Sequence, residues 1–234
     1  MKFRRVLTII FAAAVLSSTL MPVYAMNTGF STKEVTEEER EYCIKVTELT
    51  TLSTEPAKNK IFCFDVNDDG LVAVGTSNSP DAYILVYSSD GDFQYGYQFS
   101  CDGSFGVEWD GEEILIHFAK GDVAAAFDRD GNNTAVAEIE TTTANTYYWN
   151  HSIFATRRDK NGLAYVMRDN MGIWGVVSSG YSQVAAMDAE GNTTVIYDCS
   201  AVYKRQIIFI LSMLLIFFAV YAVVFYNQFL KRKQ

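Results

Sequence analysis

The chain is short of the residues on which most enzymes depend. Its 234 positions hold two histidines, His117 in the run ILIHF and His151 in WNHS. Neither stands with a nucleophile signature: there is no G-x-S-x-G, no H-E-x-x-H, no glycine-rich phosphate loop and no lone cysteine with a partner histidine. His117 reads as a satisfied or edge-exposed strand residue, and His151 as a loop residue. Carboxylate pairs such as Glu108 with Asp110 would suit glycoside hydrolysis, but strand alternation gives no reason to single them out. A binding protein rather than an enzyme is the expectation.

Basic charge is scarce too. Residues 33–198 carry all 28 acidic residues and only 11 of the 19 basic ones. Such a segment repels phosphate backbones, which excludes nucleic acid as its partner, and its acidity serves solubility.

Long apolar runs are missing except at the two ends. At the first, a basic start (Lys2, Arg4, Arg5), an apolar middle over residues 6–16 broken by Thr8, and a small-residue exit at Ala25 read as a secretory signal peptide spanning residues 1–25. The apolar part is too short to span a bilayer. At the other end, residues 207–226 carry no charge, and Ser212 is the one clearly polar side chain. Twenty residues at about 1.5 Å each cover about 30 Å, the thickness of the hydrocarbon core, so a transmembrane helix is expected over residues 204–228. A basic tail, residues 229–234, would then lie in the cytoplasm and the body of the chain outside the cell, with the bilayer itself as a partner.

Metal-type cysteine spacing is also lacking. Cys43, Cys63, Cys101 and Cys199 include no C-x-x-C pair. An even number in an exported chain is consistent with disulfides. If YCIKV forms a strand beside the last strand, TTVIYDCS, Cys43 would meet Cys199 and leave Cys63 to Cys101. A buried free thiol is the alternative, above all at Cys63.

What is present is periodic. Residues 26–60 are polar and read as an entry stalk; Thr36 followed by Glu39 forms a capping-box pattern for a short helix, and YCIKVTEL reads as a lone strand. From Ile61, turn dipeptides recur at Asp69-Gly70, Asp90-Gly91, Asp110-Gly111, Asp130-Gly131, Asn161-Gly162 and Glu190-Gly191. Each sits between short apolar runs, a strong hairpin signal. Taken in pairs the hairpins give four-stranded units of about 41 residues, a period that suits β-propeller blades. Runs such as LVAVG and YILVY are apolar at successive positions, as in strands covered on both faces. The expected fold is an all-β ectodomain, residues 61–203, built as a small propeller-like stack of four-stranded units, with a β-sandwich of stacked hairpins as the alternative.

The hairpins VAAAFDRDGN and ILVYSSDGDF resemble the outer strands of NHL-like and YVTN-like propeller repeats, over residues 61–197. That resemblance implies small sheets set around an axis and used as a binding platform. Three units are clear, the third interrupted by MGIWGVVSSG. Three blades do not close an ordinary ring, which leaves a fourth arrangement completed by residues 42–49, a ring shared by two copies, or an uncovered last sheet.

Two local features suggest sites. Asp65-x-Asn67-x-Asp69-Gly70 matches the first six positions of a calcium loop, whereas its twelfth position is Thr76 in place of a bidentate glutamate. A plain hairpin turn and a low-affinity calcium site both fit; no other cofactor is indicated. Tyr147, Tyr148 and Trp149 lie in the polar connection ETTTANTYYWNHS, where no strand needs them, and are candidate recognition residues. Together these features describe a single-pass, membrane-anchored, extracytoplasmic binding or scaffolding module acting on another membrane or surface protein or on a second copy. An accessory or sensory subunit is the alternative, and a surface enzyme ranks below both.

Overall fold

The computed structural model describes residues 26–177 and 180–231. The expected signal peptide and the last residues of the basic tail lie outside the described residues.

All six turn dipeptides sit in β-hairpins. Four of these are one motif repeated. Asn67, Ser88, Asp128 and Asp188 each donate their backbone N–H to the carbonyl of the residue four positions on, at 2.9–3.1 Å, and each carbonyl accepts from the amide of the glycine three on. Their side-chain oxygens accept the N–H of that fourth residue as well, at 2.8–3.2 Å. The glycines, 70, 91, 131 and 191, all have φ between +82° and +89°, a region closed to most L side chains, which is why the position is glycine. Asp110-Gly111 and Asn161-Gly162 make tighter turns, with Asp110 opposite Glu113 and Lys160 opposite Leu163.

These hairpins join into three antiparallel sheets. The first contains β3 (Lys60–Val66), β4 (Val72–Asn78), β5 (Asp81–Tyr87) and β6 (Phe93–Ser100). The second contains β7 (Phe105–Asp110), β8 (Glu113–Phe118), β9 (Val123–Phe127) and β10 (Asn133–Ile139), and the third β11 (Arg157–Lys160), β12 (Leu163–Arg168), β13 (Gln183–Met187) and β14 (Thr193–Asp198). Two short strands from the preceding segment cover outer edges: β1 (Thr32–Glu34) pairs with β10, and β2 (Thr50–Leu52) with β6. Covered edges cannot template pairing with other chains.

Alternation along the central strands explains the stacking. Cys63, Ala73, Ile84 and Val86 face one way, into a core with Phe105, Val107, Ile114, Ile116 and Phe127 of the second sheet. Phe64, Val74, Leu85 and Tyr87 face the other, into a core with Tyr165, Met167, Val184, Ala186 and Tyr197 of the third. The first sheet is therefore buried on both sides, as its doubly apolar runs require. The leading strands also converge, since β3 touches both β7 and β11.

Residues 26–60 differ from the expected stalk. Where a lone strand was predicted over residues 42–49, the chain forms helix α1 (Glu37–Thr47). Thr36 caps it: its hydroxyl accepts from the Glu39 amide, the Glu39 carboxylate accepts from the Thr36 amide at 2.8 Å, and Glu37, Glu38 and Glu39 fill the first turn. A capping box with acidic residues at the positive end of the helix outweighs the strand-like alternation of Ile44 and Val46. With no strand there, residues 42–49 complete no fourth sheet.

The expected disulfides fall with that strand. Cys43 lies on α1 in the core between the first and second sheets, Cys199 in the core between the first and third, and all four cysteines are free. Burial pushes the Cys63 thiol up to about 12 and the Cys199 thiol to about 11; Cys101 is half-buried.

The last strand feeds directly into α3 (Ser200–Lys231), numbered after a short helix α2 (Thr143–Tyr148). The Asp198 carboxylate accepts the Ser200 amide at 2.7 Å and caps its start. Residues Ser200–Tyr226 are long and apolar enough to cross a membrane. The Ser212 hydroxyl donates to the Ile208 carbonyl at 2.7 Å, so the polar group within the span is satisfied inside the helix.

Candidate functional site

A groove of about 960 Å³ opens between α1 and the second sheet. The pairing of β1 with β10 places the chain beside that sheet just before α1 begins, and Arg40 ties the helix down by donating to the Asn133 side chain at 3.3 Å. Of the eleven residues of α1, only Cys43 and Thr47, one turn apart, are buried. Tyr42 and Val46, 68% and 48% exposed, line the groove instead. Phe118, Val123 and Val136 complete the apolar lining, and Glu38, Glu39, Glu138 and Lys120 supply charge. Lys120 donates to Asp102 at 2.6 Å, and the pairing holds the Asp102 carboxyl below its ordinary range. Cys101 also lines the groove; partial burial, with Asp102 adding to it, raises its thiol above the ordinary value.

The opposite face of the second sheet carries a buried polar network. Alternation along β7 and β8 sends Glu108 and His117 to that face, under a cover of residues 26–31, α2 and the π-turn Trp149–Ile153. The Glu108 carboxylate accepts from Thr28 Oγ1 at 2.7 Å, from His117 Nε2 at 3.0 Å and from the Tyr148 hydroxyl. Burial pulls the Glu108 carboxyl upward, but these three donors together outweigh it and hold the group below the usual glutamate range. His117 is wholly buried, with Phe30 and Trp149 edge-on to its ring and, among the described residues, no partner for Nδ1. Asp110, two residues along β7, accepts the Asn27 amide at 2.8 Å. Glu108 and Asp110 thus both anchor the incoming chain, Glu108 under the cover and Asp110 half-buried.

The aromatic trio is split in the same way. Tyr147, Tyr148 and Trp149 are helical, not looped: α2 starts at the Thr142 cap, whose hydroxyl accepts the Asn145 amide. Tyr148 and Trp149 pack on Phe30, at 4.8 and 5.2 Å between ring centroids, while Tyr147 alone stays exposed and stacks on His151 at 3.9 Å. Most of the trio is cover for the sheet, so it does not form one recognition surface. The helix was missed because its cap, Thr142, is one of three successive threonines.

The calcium reading of the 65–70 loop also gives way. Asp65 is bound by Arg158 Nε and the Trp109 amide, each at 2.9 Å, and the Asn67 oxygen accepts the Asp69 and Leu71 amides. The loop is the repeated hairpin turn, and its ligand-like spacing reflects that turn's need for acceptors. Among the described residues, no three of His, Cys, Asp and Glu are grouped to hold a metal ion. Sequence reasoning missed Arg158, whose partner is 93 positions away, and the groove as a site, which no local pattern marks.

Comparison with protein-family models, with curated proteins and with solved structures finds no match.

Proposed function

We propose that the protein is a single-pass, membrane-anchored binding module whose sheet domain stands outside the cell and receives a segment of a neighbouring membrane or surface protein. The observation that carries this is the groove: an apolar lining from a helix and three strands, rimmed by charge, with Tyr42 and Val46 held out to it by a helix whose other face is fixed. Exposed aromatic and aliphatic side chains in a concavity are the usual anchors of recognition. The apolar helix α3 supports anchoring, and the basic-apolar-small pattern of residues 1–25 supports export. Three successive four-stranded meanders with converging first strands favour a propeller-like stack. Binding is favoured over catalysis because His117 and Glu108 are enclosed and spent on the chain's own contacts.

Cys101 gives a direct test: it lines the groove half-buried, whereas Cys43, which also lines it, and Cys63 and Cys199 are buried. On intact cells carrying the full chain, a membrane-impermeant maleimide is expected to modify Cys101 and leave Cys43, Cys63 and Cys199 unmodified until denaturation. Labelling seen only after the membrane is opened would contradict the outward orientation. A Cys101 that stays unreactive in the purified native protein would contradict an open groove.

A further inference from the structure

The interruption of the third sheet is a 3-10 turn, Gly172–Val177, between β12 and β13. Its side chains divide. Trp174 packs inward, in the core that also takes Val202, Tyr203 and Ile207 from the start of α3. Ile173 and Val176 point away from that core and are 82% and 91% exposed. The turn touches α3, and Gly180 closes against the Tyr203 hydroxyl so tightly that a Cβ there would collide with it. Two bare aliphatic side chains therefore stand where α3 leaves the domain.

That location decides what covers them. Ile207 belongs to the core and also opens the uncharged run of α3, and the next residue, Ile208, is already 56% exposed. On the anchoring proposed above, the bilayer surface must cross α3 close to Ile207, beside the turn. Residues 170–187 contain no charged side chain in an otherwise acidic domain; of the flanking carboxylates, Asp169 is exposed and accepts the Met171 amide at 2.9 Å. Lys204 and Arg205, on the first turns of α3, sit at the headgroup level that the same geometry requires. Bare aliphatic side chains at that level fit the interfacial zone, where apolar groups enter the acyl boundary while the backbone stays near water.

We propose that the 172–177 turn is a second membrane contact, which inserts Ile173 and Val176 into the lipid interface beside α3 and fixes how the sheet domain sits on the bilayer. The contact rests on α3 being the anchor, and a combined experiment separates the two claims. The full chain, carrying Cys101→Ser so that the remaining native thiols are buried, is reconstituted in phosphatidylcholine nanodiscs. Single cysteines are introduced as Ile173→Cys, Val176→Cys, Leu215→Cys or Asp130→Cys, and each is labelled with an environment-sensitive dye. Dyes at 173 and 176 are expected to shift to the blue and to be quenched more by lipids spin-labelled near the headgroup than by lipids labelled deep in the chain. The dye at 215 should show the reverse order, and the dye at 130 neither effect. If 215 is quenched but 173 and 176 behave like 130, the second contact is wrong and the anchor stands. A blue shift at 173 and 176 without lipid quenching means protein covers them, which also overturns the proposal. Absence of quenching at 215 removes the anchor and the contact together.

Discussion

Phe105→Ala is expected to cost about 3–5 kcal/mol of stability, the range for emptying an aromatic site in a packed core. Phe105 is wholly buried at the start of β7 and joins the first two sheets. Its ring stacks on Phe62 at 5.3 Å and meets Phe99 edge-on at 5.2 Å. Gly75, opposite Cys63 on β4, leaves the room it occupies: a Cβ there would come within 3.0 Å of the ring. Phe105→Leu keeps more of the volume and should lose less. Urea unfolding of the full chain in detergent, followed by tryptophan emission, measures both. A loss below about 1 kcal/mol for the alanine variant would mean that the interface relaxes around the vacancy and that the two sheets are not locked at this point.

Glu108→Ala should cost a similar amount, because His117 would keep a buried donor, and Tyr148 and Thr28 part-buried ones, with no acceptor. Removing one partner of a buried, hydrogen-bonded pair typically costs about 3–5 kcal/mol, and here the cover of the second sheet depends on the same carboxylate. Glu108→Gln retains an oxygen and should cost less. The wild-type chain should also be acid-sensitive through this group. Its carboxyl is held below its ordinary 4.5 in the folded state, so the unfolded chain takes up the proton at higher pH than the folded one. The stabilisation is therefore complete above about pH 4.5 and is lost as pH falls through the lower folded value. Other carboxylates contribute to the acid limb, so the quantity to compare is the difference between wild type and Glu108→Gln: the gap should narrow below pH 4.5. A gap that does not change with pH would show that the carboxyl has the same pKa folded and unfolded, and a gap that widens as pH falls would show that its folded pKa is raised.

Local chemistry made much of the fold readable. Hairpin turns are chosen by a glycine and an acceptor side chain within five residues, so all six were visible, and so was their grouping into four-stranded units. The double burial of β4 and β5 was visible in LVAVG and YILVY, which lack a polar face. What sequence hid depends on distant partners. Ile44 and Val46 look like strand residues until the Thr36 cap is weighed against them, and the edge strands β1 and β2 are each three residues long, too short for any periodicity. The calcium-like spacing of Asp65, Asn67 and Asp69 misled because the same acceptors serve a turn and an ion. Tyr148 and Trp149 looked unemployed only because their partner, Phe30, is more than a hundred positions away. The groove joins α1 to strands far along the chain, and no pattern within either part signals it.

Photo-cross-linking from the groove tests the binding role most directly. A benzophenone amino acid at Tyr42, in native membranes containing the full chain, should give one discrete adduct with a membrane or surface protein. The same group at Gln94, exposed on β6 away from the groove, should give none. No adduct from position 42, or the same diffuse products from both positions, would contradict a groove built to hold a partner.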